Sequence, residues 1–485
     1  MNSLTRRSFV KRTAATAAVL SAASWNRVLG SNEAVRVGVV GFRGRGGDHI
    51  NGLAGIPGVR IAGLCDVDGR VLDAEVKKRT EKGEDVKGFT DMRKLLEDPS
   101  IDVVTTAAPN HWHALQTIWA CQAGKDVYCE KPVSHNVWEG RQAVKAARKY
   151  SRVVQTGTQS RSSHALKEAV GWVQAGNLGK ITLARGLCYK PRRSIGKVTE
   201  PTPIPPGIDY DLWCGPAPMV PLMRKNLHYD WHWVWDTGNG DLGNQGIHQM
   251  DIARWFLGEM ELSSRVISAG GRLGYVDDGE TPNTQVVYHH YERAPLIFEV
   301  RGLPQDQASQ ADALWNRSMD KFMGGSVAVV IHCEGGHVLV PSYTEAVAFD
   351  TTGQELKRWR GAKNHYENWI EAVRARKPEL LTADILEGHL SSALCHTGNV
   401  SYQLGSRMQP GEARERLAGF TGLHETYDRM VEHLRKNEIN LDVDRLILGA
   451  GLVMDPKTER FTGHDAANRL LTREYRKPYV VPEQV

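Results

Sequence analysis

Val35-Arg-Val-Gly-Val-Val40 followed at once by Gly41-Phe42-Arg43-Gly44-Arg45-Gly46 reads as a buried strand that runs through a glycine-rich turn into a helix. Glycines there let backbone N–H groups approach a pyrophosphate at a helix N-terminus, which is the opening of a dinucleotide-binding βαβ unit. Some 90 residues later comes Glu130-Lys131-Pro132, at the end of the strand pattern Asp126-Val-Tyr-Cys129. A lysine delivered to the carboxyl edge of the same sheet reaches the nicotinamide end of the dinucleotide and the reacting substrate.

The segments between these two points alternate short apolar strands with helical patterns, as in a doubly wound parallel sheet. Val59-Arg-Ile-Ala-Gly-Leu-Cys65 is a second strand, ending at Asp66, 25 residues beyond Gly41. An acid near the usual offset of about 20 residues holds the adenosine ribose hydroxyls and repels a 2′-phosphate, so NAD is favoured over NADP. Capping of the next helix is the other reading of Asp66. Ile101-Asp-Val-Val-Thr-Thr-Ala-Ala108 leads into Pro109-Asn110-His111-Trp112-His113, a third strand-to-helix turn on the carboxyl edge. It offers Pro109, Asn110 and His113 to the nicotinamide ribose; for His113, capping or packing is the alternative.

The 485 residues and 41% hydrophobic content call for two domains and an extension. We place a leader at 1–30, a nucleotide domain at 33–155, a substrate and oligomerisation domain at 156–435, and a C-terminal extension packed on the latter at 436–485. The leader carries Thr5-Arg6-Arg7-Ser8-Phe9-Val10-Lys11 before a ten-residue apolar stretch, Ala14 to Ala23. This is half the length of about 20 residues that spans a bilayer, and it matches a twin-arginine export signal. A folded export route suits an enzyme that takes up its nucleotide before leaving the cytoplasm. Residues 1–24 hold Arg6, Arg7, Lys11 and Arg12 and no acid, so the net charge of +5 falls to +1 without them. Near-neutrality gives no electrostatic basis for nucleic acid or a membrane surface as partner. Seven scattered cysteines without a Cys-x-x-Cys pair read as small packed hydrophobes.

A second chemical cluster follows the domain boundary. Gln155 to Ser163 is a polar loop with Gln159 and Arg161 as substrate contacts, and Lys190 to Pro221 is a proline-rich insertion containing Arg192. In His228-Tyr-Asp-Trp-His-Trp-Val-Trp-Asp236, Tyr229, Trp231, Trp233 and Trp235 share one face if the stretch is extended, which gives either a sugar-stacking platform, with Trp233 as the contact, or core. Gly238 to Asp251 is a glycine-dense loop entering a helix on which Asn244, His248 and Asp251 fall on one face. His248 suits proton exchange with a substrate hydroxyl. A structural His248–Asp251 hydrogen bond and a metal site gathered from His228, His232, His248 and Asp251 are the other readings; no tight ligand motif supports metal.

In this order, the glycine-rich turn, Asp66, Pro109-Asn110-x-x-His113, Glu130-Lys131-Pro132 and Gly246-x-His248-x-x-Asp251 resemble the glucose-fructose oxidoreductase and inositol dehydrogenase family (Gfo/Idh/MocA). The tail, with Leu446-Ile-Leu-Gly449 and Asp455-Pro-Lys-Thr-Glu-Arg-Phe461, is similar to exported bacterial members with an extended C-terminal domain. The resemblance implies an α/β protein: a Rossmann domain plus an α/β domain on a large open, mainly antiparallel sheet through which subunits pair as a homo-oligomer. It implies Lys131 and His248 as catalytic residues acting on a carbohydrate, with Asn244 where dehydrogenase members carry an aspartate. An amide orients a hydroxyl but takes no proton. Three functions fit these residues. The first is an exported NAD-dependent oxidoreductase of a sugar secondary alcohol with an internally recycled cofactor. The second is a redox glycosidase that oxidises, eliminates, hydrates and reduces, and the third a non-catalytic NAD-containing sugar binder.

Overall fold

The structure, a computed structural model, describes residues 34–485, so the export motif lies outside the described residues. Strands β1 (Val35–Val40), β2 (Val59–Cys65), β3 (Lys87–Phe89), β4 (Val103–Thr106), β5 (Asp126–Cys129) and β6 (Val154–Thr156) form a six-stranded sheet in the order 3-2-1-4-5-6. Every pairing is parallel. Helices α1 (Arg45–Ala54), α2 (Gly69–Thr80), α3 (Met92–Glu97), α4 (Asn110–Gln122) and α5 (Val137–Lys149) connect the strands. Burial on both faces explains why β4 and β5 are continuously buried rather than alternating. The strand order reverses between β1 and β4, which opens the ligand crevice at the carboxyl edge there. Asp68, not Asp66, caps α2, accepting from Arg70 N at 3.2 Å.

The second domain begins with α6 (His164–Gln174) and β7 (Ile181–Tyr189). An irregular crossing containing α7 (Tyr210–Cys214) then leads to α8 (Gly240–Asn244) and α9 (Gly246–Leu257). Next come β8 (Arg265–Gly271), β9 (Thr284–His290), β10 (Leu296–Arg301), β11 (Val327–Cys333), β12 (Gly336–Ser342), β13 (Glu345–Asp350) and β14 (Glu355–Arg360). The chain closes with α10 (His365–Ala375), α11 (Ile385–Gln403), β15 (Ser406–Met408), α12 (Pro410–Arg416), α13 (Leu423–Lys436), β16 (Leu446–Leu448), β17 (Leu452–Asp455), β18 (Arg460–Phe461) and α14 (Asp465–Arg469). The second sheet has twelve strands and is antiparallel except where β10 pairs with β7. Its inner face packs Phe298 and Val329 against Ile247 and Phe256 of α9 and Leu394 of α11.

Three features go beyond the expected architecture. The outer face of the open second sheet carries a further layer, in which Ile267, Tyr288 and Ile297 pack with Leu417, just after α12, and with Leu423, Tyr427 and Met430 of α13. Helix α10 belongs to the nucleotide domain's core, where Trp369, Ile370 and Val373 pack with Val35, Val37 and Leu53. The C-terminal extension also returns to that domain: Tyr479, Val481 and Val485 join the cluster of Trp112, Ile118 and Ala147. Among the described residues no helix is long and apolar enough to cross a membrane.

Candidate active site

A cavity of about 640 Å³ runs from the β1–α1 turn along the carboxyl edge of the first sheet to the α8–α9 junction of the second domain. At its nucleotide end Gly41 has φ +72°, and a Cβ there meets Ala108 N at 2.8 Å; a Cβ on Gly46 meets Gly41 O at 2.1 Å. Gly44, by contrast, has no heavy atom within 4 Å of its would-be Cβ and no side chain caps α1, so the first N–H groups of the helix face an open cradle. Asp66 lines the same end, its carboxylate accepting from Phe42 N at 3.1 Å and Asp68 N at 3.0 Å. Burial raises its pKa, and those two N–H donors counter the rise. The residues present fit a dinucleotide: glycines where side chains collide, free N–H groups for phosphate, and a carboxylate at the ribose offset.

Pro109, Asn110, His113, Glu130 and Lys131 line the middle of the cavity with Gly41, Arg43, Gly44 and Arg45. Glu130 is a support. Its carboxylate accepts from Arg45 Nε at 2.9 Å and lies 3.0 Å from His49 Nε2. Burial opposes ionisation, but the His49 hydrogen bond and the Arg45 charge outweigh it and hold the carboxyl well below the usual range. His113 is fixed between Pro132 O at 2.6 Å and Ala108 O at 2.7 Å, so it orients the Lys131–Pro132 turn as well as lining the cavity.

Lys131 Nζ donates to the backbone carbonyl of Asn244 at 2.8 Å, which joins the two domains across the cavity. Burial lowers its pKa, Glu130 partly restores it, and Arg45 and Lys190 lower it further. His248 lines the same end; its Nδ1 is buried and has no hydrogen-bond partner. Burial, then the Lys131 charge, pushes its pKa down to about 3, so the ring is neutral at ordinary pH. Gln159 and Asn244 also line the cavity, Gln159 with a buried unpartnered Oε1.

The structure separates other expected members from this group. Phe42 and Gly46 stand behind the turn rather than in the cavity lining. Arg161 is buried against Asp251, Nε lying 2.9 Å from Oδ2, and is not a lining residue. Asp251 therefore serves Arg161 and Ser391 rather than His248. Arg192 is locked onto Asp241 at 2.7 Å and lies over Trp233 at 5.1 Å, and neither Arg192 nor Trp233 lines the cavity. The aromatic stretch is not extended, because Asp230–Trp233 is a 3-10 turn; Trp231 stacks on His232 at 3.6 Å between centroids. Asn244 and His248 sit on two helices, broken at Gln245, rather than on one. Among the described residues no group of histidine, cysteine and acidic side chains is placed to hold a metal ion.

The crossing between β7 and α8 roofs the cavity, with Leu212 and Trp213 from the insertion and His228, Tyr229, Trp231 and His232 from the aromatic stretch after it, and Tyr343 closes it from the β12–β13 turn. Sequence reasoning missed Tyr343, Gln245 and Trp213; a hairpin residue a hundred positions downstream carries no local signal of its destination.

Residues 35–158 match the family profile described as oxidoreductase family, NAD-binding Rossmann fold, and residues 164–322 match that of its C-terminal alpha/beta domain. The levoglucosan dehydrogenase of Pseudarthrobacter phenanthrenivorans is 28% identical over 209 residues, 41% of this chain and 46% of that protein. The myo-inositol 2-dehydrogenase of Thermotoga maritima is 25% identical over 226 residues, 46% of this chain and 55% of that protein. The chain thus matches about half the length of these curated relatives. The WlbA dehydrogenase from Bordetella pertussis, solved in complex with NADH and UDP-GlcNAcA, superposes with a TM-score of 0.54 at 20% identity, over 75% of this chain and 94% of that one. At that identity the likeness is one of fold.

Proposed function

The chain belongs to the Gfo/Idh/MocA oxidoreductase family, with an NAD-binding Rossmann domain, and from this premise we propose that it oxidises or reduces a secondary alcohol on a carbohydrate or glycoside. The observation that carries the reading is the meeting of Lys131 with the α8–α9 junction, beside His248, in the cavity that also contains the Gly41–Arg45 cradle. The Gly41–Arg45 cradle and Asp66 would hold a dinucleotide, which would supply the hydride chemistry there. Lys131 places a positive charge where an alkoxide develops. Neutral His248, with no protein partner on Nδ1, takes up or returns the hydroxyl proton. Asn244 and Gln159 orient hydroxyls, and Asn244 moves no proton. Two matched relatives are named for levoglucosan and myo-inositol, both polyhydroxylated rings, which supports a substrate of that class.

The roof supports a tightly held, internally recycled cofactor. The crossing is pinned to the adenosine edge of the Rossmann domain by Gly69 N to Gly207 O at 2.9 Å and Asp209 N to Val67 O at 3.1 Å. Export by the twin-arginine route belongs to the same reading, since an enzyme that keeps its nucleotide functions where free NAD is scarce. Homo-oligomerisation through the second domain's sheet belongs to it too. Denaturing the purified protein and identifying the released nucleotide, with 340 nm absorbance followed during addition of saccharides, tests the reading. Aglycone release from chromogenic glycosides without net NADH identifies the redox glycosidase instead. No nucleotide at all sinks both.

A further inference from the structure

The substrate end of the cavity holds two ammonium groups. Lys131 Nζ is seated on Asn244 O at 2.8 Å, and Lys190 Nζ, immediately after β7, donates to Gln245 Oε1 at 2.7 Å. Consecutive residues of one helix junction thus fix two cations in one cavity, and the charge on Lys190 is among those that lower the Lys131 pKa. The neighbouring acids are committed elsewhere, Glu130 to Arg45 and His49 and Asp241 to Arg192. Among the described residues no carboxylate forms an ion pair with Lys190, although two like charges at close quarters call for a counter-charge.

The amide of Gln245 adds a second donor. An ammonium only donates, so the atom facing Lys190 is Oε1, and Nε2 then donates to Tyr343 Oη at 2.6 Å. Tyr343 spends a lone pair on that bond and keeps its O–H proton. Lys190 keeps two N–H bonds. Both groups are half-buried and line the cavity. One oriented cation and one oriented hydroxyl, spaced by a single amide, suit the two oxygens of a carboxylate; a phosphate dianion asks for more donors.

We infer that the substrate is a sugar acid, with Lys190 and Tyr343 as the pair that reads its carboxylate. The inference rests on the carbohydrate oxidoreductase reading and narrows it. Its test is calorimetric titration of the nucleotide-loaded protein with glucuronate against glucose, galacturonate against galactose, and glucose 6-phosphate. The acids bind about 10- to 100-fold tighter than their neutral partners, and the ratio falls roughly tenfold or more in Lys190→Met, less in Tyr343→Phe, and declines as salt rises. Equal affinity within each pair, a preference for the phosphate, or a ratio unchanged in Lys190→Met overturns the inference. Because the wild-type comparison needs no variant, a misfolded Lys190→Met leaves the test decisive. Tight binding of the acid with no change in the bound nucleotide's absorbance would instead count against the redox reading alone.

Discussion

Lys131 and His248 divide the work by protonation state. Burial and nearby cations lower the lysine's pKa, and the same burial keeps the imidazole neutral down to about pH 3. Replacing Lys131 by Met removes the charge that meets the alkoxide, so kcat falls by about 10²- to 10³-fold. The released-nucleotide assay still finds NAD, because the Gly41–Arg45 cradle is untouched. The signs of the two shifts also set the pH profile. Activity is lost as pH rises through a Lys131 value below 10.5, and no acid limb is present near 6.5, the ordinary histidine value. A kcat/KM profile with an acid limb near 6.5 shows instead that the imidazole of His248 titrates at its ordinary value, and overturns the neutral-to-pH-3 state. At this scale much was legible, since Gly41, Asp66, Asn110, Lys131, Asn244 and His248 are all found in one cavity. Arg161 and Arg192 mislead because a polar side chain in a loop resembles a ligand contact until its buried partner, Asp251 or Asp241, is known.

Breaking the α8–α9 helix at Gln245 turns a one-face pattern into a junction. Gly246 starts α9 packed tightly, since a Cβ there meets Phe298 at 2.9 Å and Asp241 O at 3.1 Å. The glycine density pointed to the loop, but the break depends on tertiary neighbours. The roof depends on longer-range contacts still. Trp112 Nε1 donates to Leu212 O at 3.1 Å, Arg476 Nη2 to Asp211 O at 2.6 Å and Tyr479 Oη to Asp211 Oδ2 at 2.7 Å. The C-terminal tail thus clamps α7, which carries Leu212 and Trp213 into the cavity. Asp211→Ala with Tyr479→Phe removes the Asp211 carboxylate's bonds to Tyr479 Oη and Arg476 Nη1 and speeds exchange of bound nucleotide about tenfold, the expected cost of two partly exposed hydrogen bonds. Displacement of the retained nucleotide by a fluorescent NAD analogue measures the rate. An unchanged exchange rate means that the roof is held by packing alone.

Across the whole molecule, the alternation of strand and helix announced the first domain, and the later strand patterns announced a second sheet. What lies on that sheet's outer face was not legible, because the helices covering it come from far downstream and meet it through charge as well as apolar contact. Glu299 of β10 accepts from Arg185 Nη1 at 2.6 Å, Arg429 Nη2 at 2.6 Å and Tyr189 Oη at 2.6 Å, while Asp320 lies 2.8 Å from His433 Nδ1. Burial opposes ionisation of Glu299, but the Arg185, Arg429 and Arg301 charges outweigh it and bring the pKa down to about 2 from 4.5. A depressed carboxylate contributes stability that is complete above its unfolded value and is lost as pH falls through its folded one. The latch formed by α13 therefore weakens between about pH 4.5 and pH 2. Glu299→Gln leaves two buried guanidinium groups, of Arg185 and Arg301, and the half-buried one of Arg429 without their central counter-charge and costs about 3–5 kcal/mol. Urea titrations at several pH values check both statements. The wild type loses midpoint steadily over that acid window, and the variant starts lower and loses less there. Parallel curves for the two proteins would show that the acid loss comes from the neutral buried histidines, such as His111 and His289 at about 3, rather than from the latch.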